Sequence, residues 1–78
     1  MSNLLLFTLD YIERDENGNI CCESYGYPIE ATSMTMAIMQ FYYAESTNKN
    51  YHIIMIKEIL KSSWEYEKVR RRMEVNNE

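Results

Sequence analysis

The amino-acid sequence predicts an α+β fold: a three-stranded antiparallel sheet in the order 2-1-3, with a helix on one face and a short C-terminal helix. Three observations carry this. Two strand-forming runs flank the turn string Asp15-Glu16-Asn17-Gly18-Asn19. After Pro28 the apolar residues switch to helical spacing. A β-branched run, Ile53-Ile54-Met55-Ile56, then precedes the capping-box string Ser62-Ser63-Trp64-Glu65. At 78 residues, with 46% apolar and 26% charged residues, 2 Gly and 1 Pro, the chain reads as a single domain, 1–78. Disordered tails, collagen-like repeats and flexible linkers need far more Gly, Pro or charge.

Asn3–Arg14 is rich in strand formers and supplies the first strand. A type I turn with Gly18 left-handed, followed by a bulge, pairs Asp15 with Asn19 and sets a register in which paired numbers sum to 34. One face then collects Leu5, Phe7, Leu9 and Tyr11 opposite Ile29, Tyr27, Tyr25 and Glu23, and this is the expected core face. The other collects Leu4, Leu6, Thr8, Asp10 and Ile12 opposite Pro28, Gly26, Ser24 and Cys22. Thr32 or Ser33 caps the first helix, whose inward stripe is Met34, Ala37, Ile38 and Phe41 and whose end falls at Ala44 or Glu45. Ser46–Asn50 is a loop, and Tyr51–Leu60 is the third strand, apolar on both faces in its middle.

The last element is a helix from about Ser63 to Glu74, with Ser62 as cap and Glu65 reaching back. Early Glu65 and Glu67 and late Lys68, Arg70, Arg71 and Arg72 match the helix dipole. The alternation of Trp64, Tyr66 and Lys68 with acids leaves a fourth strand, ββαββ, as the alternative to ββαβα. Val75 to Glu78 are expected to fray. A right-handed crossover places the third strand beside the first, which suits the Leu4-Leu5-Leu6-Phe7 run to a central position.

Charge divides the chain. Residues 1–48 carry seven acids and one base, a net of −6, and residues 49–78 carry seven bases and five acids, a net of +2, for −4 overall. Such an acidic half attracts basic protein surfaces at long range, unless it is ordinary solvated charge. Adjacent Cys21 and Cys22 point to opposite strand faces and form no disulfide framework, and without a second Cys/His pair they form no zinc site. The apolar run near the start is too short for a signal peptide or a membrane span. A cytoplasmic chain with reduced thiols is expected.

Catalysis is not expected, nor any metal or cofactor. His52 is the one histidine and has no partner nearby in sequence, so a structural role is expected of it. The acids Glu13, Asp15 and Glu16 sit at a hairpin tip and read as solubility and hairpin-edge charge. No Gly-rich phosphate loop exists. Lys68, Arg70, Arg71 and Arg72 form the basic cluster, a candidate for nucleic-acid contact, though the sequence pI of about 4.9 argues against that role. The first helix is more informative. Nine of its eleven residues, Met34 to Ala44, are apolar or aromatic, which leaves Met36, Met39, Tyr42 and Tyr43 on its flanks and back. Either the second helix covers this surplus through Trp64, Val69 and Met73, or it is a contact surface for another protein.

In size, in its acidic Tyr-rich composition and in its hairpin-helix-strand order, the chain resembles small phage-encoded accessory proteins, including anti-CRISPR and other anti-defence inhibitors. Those proteins share no motif, so the resemblance assigns no residue. It implies a non-catalytic inhibitor in the host cytoplasm that blocks a nucleic-acid-binding host protein by placing carboxylates in its basic groove. The candidate protein-binding residues are Asp10, Glu13, Asp15, Glu16, Met36, Met39, Tyr42 and Tyr43. A homodimer through the first helix is also expected, since so short a chain gains little stability alone. The competing functions are a nucleic-acid module built on the basic helix and a self-associating structural subunit.

Overall fold

A computed structural model describes residues 3–44 and 50–76. The elements are β1 (Leu5–Arg14), β2 (Ile20–Ala31), α1 (Met34–Ala44), β3 (Tyr51–Ile59) and α2 (Trp64–Asn76). The sheet is antiparallel in the order β2-β1-β3, as the crossover argument requires. The C-terminal element is a helix, so ββαβα holds and the fourth strand does not. Of the expected loop, 46–49 lie outside the described residues, as do Glu45 and the last two residues of the chain.

The hairpin tip follows its turn chemistry. Gly18 has φ +85°, and its N–H donates to the Asp15 carbonyl at 3.0 Å. The Asp15 N–H donates to the Asn19 carbonyl at 2.8 Å, while its carboxylate accepts from the N–H groups of Asn17 and Asn19, each at 2.9 Å. Gly takes such a backbone without strain, and the short Asp15 side chain reaches two amides inside the turn.

Beyond the tip the register departs from the expected one. Arg14 pairs with Ile20 as the sum of 34 requires, but Glu13 pairs with Cys22, Tyr11 with Ser24, and Phe7 with Ile29. Two extra residues in β2 cause the drift, Cys21 and one at the Tyr25–Gly26 step, where Gly26 has φ +73°. Each is a β-bulge, which bends its strand and strengthens its twist. A third bulge lies in β3 at nearly the same level, where Asp10 pairs with Met55 and Tyr11 with Ile53. Pro28, which has no N–H to give, sits on edge strand β2.

The expected single core face is also corrected. Leu6, Phe7, Thr8 and Leu9 are all buried, so β1 is covered on both sides. Phe7 packs with Ala31, Ala37, Leu5, Ile29 and Ile56 beneath α1. Leu6 packs with Ile59, Val69, Tyr66 and Met73 beneath α2. Tyr25, expected inside, is exposed instead, and so are Ile54 and Met55 in the middle of β3. Phe41 anchors α1 into an aromatic cluster, with ring centroids 4.8 Å from Tyr11 and 5.9 Å from both Tyr27 and Tyr51. Met34, placed on the inward stripe, is exposed.

Both caps are serines. Ser33 Oγ accepts from the Met36 N–H at 3.2 Å. At α2 the cap is Ser63 and not Ser62, since Ser63 Oγ accepts from the Glu65 N–H at 3.2 Å and its carbonyl accepts from Tyr66. Glu65 therefore falls one position short of a capping box and instead pairs with Lys57 at 3.5 Å. α2 continues to Asn76, through part of the segment expected to fray.

Candidate protein-contact surface

The outer face of α1 is exposed. Since α2 packs over Leu6 and α1 over Phe7, the second helix lies on the other side of the sheet and does not cover Met36, Met39 and Tyr43. Met36 is 41% exposed, Met39 58% and Tyr43 89%. With Gln40 and Ala44 they line an open trough of about 440 Å³. Tyr42 turns the other way, and its hydroxyl accepts from the Ile53 N–H of β3 at 3.0 Å, beside the bulge. Three of the four candidates on α1 therefore form one patch. The fourth ties the helix to the sheet.

The four candidate acids do not gather into one surface. Asp10 belongs to the bulge: its Oδ1 accepts from the Gly26 N–H at 2.9 Å. Asp15 belongs to the turn. Glu13 lies on β1 and Glu16 in the hairpin tip, while the Glu23 carboxylate on β2 accepts from the Tyr25 hydroxyl. That hydrogen bond, with the negative charge of Glu23, pushes the Tyr25 phenol pKa up from its ordinary value.

Of the four basic candidates, Arg70 and Arg72 contact the sheet, while Lys68 and Arg71 are exposed on α2. Arg70 pairs with Glu30 across the edge of the sheet. Arg72 Nη2 donates to the Gly26 carbonyl at 3.3 Å. Lys68 lies 5.5 Å above the Trp64 ring, and Trp64 is exposed. Gly26 is the residue that sequence reasoning missed. Asp10 holds its N–H and Arg72 its carbonyl, so one bulge joins the acidic strand to the basic helix, at a cleft of about 180 Å³ shared with Thr8, Lys57 and Glu65. A glycine inside a strand run was the available sign.

His52 is exposed on β3 opposite Ile12. Cys21 and Cys22 are exposed thiols, and Cys21 Sγ lies 3.5 Å from the Glu13 carbonyl. Desolvation, and then the charges of Glu13 and Asp15, push the Cys21 thiol pKa up. Among the described residues, no group of three or more His, Cys, Asp or Glu is placed to hold a metal ion. Among them, too, no helix is long and apolar enough to cross a membrane.

No protein-family model, curated protein or solved structure matches this chain.

Proposed function

We propose that this chain is a non-catalytic protein-binding module with two contact elements, the apolar outer face of α1 and the acidic hairpin. One observation carries the reading: Met36, Met39 and Tyr43 stay exposed because α2 packs on the opposite side of the sheet. Methionine adapts to irregular partners, and tyrosine offers large contact area at low entropy cost. Glu13 and Glu16 supply long-range attraction to a basic surface. Such a surface fits the nucleic-acid-binding host protein that the resemblance to phage accessory proteins implies. The nucleic-acid reading loses support, since Arg70 and Arg72 face the sheet.

The test is site-specific photo-crosslinking from position 39 in the source cells. The reading expects a defined protein adduct, and binding of that protein in purified titration that Met39→Glu abolishes and Arg71→Glu leaves intact. Glu13→Lys with Glu16→Lys should slow association with a basic partner and flatten its salt dependence. Asp10 and Asp15 are left unchanged because their carboxylates hold the fold. No adduct at position 39, or one indifferent to Met39→Glu, removes the reading.

A further inference from the structure

We infer that the occupant of the outer α1 face is a second copy of this chain, with the two α1 helices packed antiparallel about a two-fold axis. The inference rests on the reading of that face as a contact surface. It leaves the acidic hairpins to the basic partner.

The spacing is that of a helix-packing seam. Met36, Met39, Gln40 and Tyr43 fall at i, i+3, i+4 and i+7, a stripe about 100° wide on the side of α1 away from Ala37 and Phe41. The stripe also matches its own reverse. In an antiparallel pair Met36 meets the partner's Tyr43 and Met39 meets the partner's Gln40, so one patch serves both copies. Met36 against a tyrosine ring makes a sulfur–aromatic contact. The Gln40 amide, with both donors and an acceptor, can bond its own copy near the axis and so fix the register.

Electrostatics selects both the occupant and the direction. α1 holds no acidic residue in its first turn and no basic residue in its last, and its eleven residues carry no charge at all. Two copies therefore meet there without like charges opposed, although each chain is −4. The helix dipole has no compensation from its own side chains. An antiparallel copy supplies it, setting each positive N-terminus beside the other's negative C-terminus. Met36, Met39 and Tyr43 expose about 400 Å² per copy on ordinary side-chain areas, roughly 800 Å² for the pair. Stable interfaces bury about 1,200–2,000 Å², so the dimer should be weak.

Sedimentation equilibrium of the full chain is the test. The expected result is a concentration-dependent dimer that strengthens as salt screens the −4 charge of each copy, and that Met39→Glu with Tyr43→Lys returns to a folded monomer. A basic foreign partner would weaken with salt instead. In a Cys21→Ser, Cys22→Ser background, Met36→Cys mixed with Tyr43→Cys should oxidise to the mixed disulfide, with little self-linked Met36→Cys. A chain monomeric at about 1 mM, a dimer untouched by the double substitution, or preferential self-linking at position 36 would overturn the inference. A monomer that still cross-links another protein from position 39 would remove this inference and keep the functional reading.

Discussion

The two helices of this fold are held by opposite means. α1 is uncharged and is seated through Ala37 and Phe41, both fully buried, in a cluster of aromatic rings. α2 is highly charged, and Val69 is its one buried side chain among the described residues. Tyr66 and Met73 pack beside Val69 on Leu6 and Ile59, and long polar side chains add to this: Arg70 to Glu30, Arg72 to Gly26 and Glu65 to Lys57. A helix that has a polar face to turn outward can cover a sheet and finish its surface. α1 has no such face, so the same docking leaves an apolar exterior. Difference in composition, not in packing quality, leaves the exterior of α1 apolar.

The largest test of this contrast compares the two anchors. Phe41→Ala removes a ring in contact with Tyr11, Tyr27 and Tyr51 and should cost about 3–5 kcal/mol. Val69→Ala removes two carbons and should cost about 1–2 kcal/mol. Denaturant titration of both variants measures the difference. Equal costs would mean that α2 is as deeply seated as α1.

The glycines come next. Gly26→Ala meets open enough space, since a Cβ there would lie 3.7 Å from the Arg72 guanidinium, but it forces alanine to φ +73°. The expected cost is about 1–2 kcal/mol, with looser attachment of α2. Gly18→Val, at φ +85° on the hairpin tip, should cost roughly 1 kcal/mol or more without touching either helix. Hydrogen exchange separates them: only the Gly26 variant should lower protection in α2. An unchanged α2 would show that the bulge does not hold it.

What was legible in the sequence follows from which interactions are local. The element order and the tip around Gly18 are local, written in turn residues and in the switch from strand to helical spacing. The register of β2 was not: the bulge beside Gly26 is held by Asp10 and Arg72, far away in the chain, and the one at Cys21 has no turn residue to mark it. The side of the sheet taken by α2 was half-legible. Leu4-Leu5-Leu6-Phe7 is apolar toward both faces, but nothing nearby says that Val69 and Tyr66 cover Leu6. The surplus on α1 was legible as composition, and its exposure became visible only with that placement. Asp10 and Arg72 read as surface charge because their common partner is a backbone.

A smaller effect tests whether the charged attachments of α2 are peripheral. Arg70 and Glu30 have side chains 35% and 30% exposed, so water screens the pair. Arg70→Ala should cost about 0.5 kcal/mol, less in high salt. A loss comparable to that of Val69→Ala would make the ion pair a true anchor and narrow the contrast between the helices.

The smallest effect lies on the hairpin, which neither contrasting anchor controls. The Cys21 thiol is raised by desolvation first and by Glu13 and Asp15 next. The neutral thiol is thus favoured in the folded chain, so any stability it contributes is present below the unfolded thiol pKa and fades as pH rises through the raised one. Alkylation reads the thiolate directly. In a Cys22→Ser background, Cys21 should react more slowly at pH 8 than the same chain in denaturant. Glu13→Gln removes one of the two acids yet leaves the Glu13 carbonyl that lies 3.5 Å from Cys21 Sγ, so the rate should rise by about twofold. The rise should persist in Val69→Ala, because the charges acting on Cys21 come from the hairpin itself. A rate that tracks loosening of α2 instead would tie the hairpin to that helix and blur the division between the two sides of the sheet.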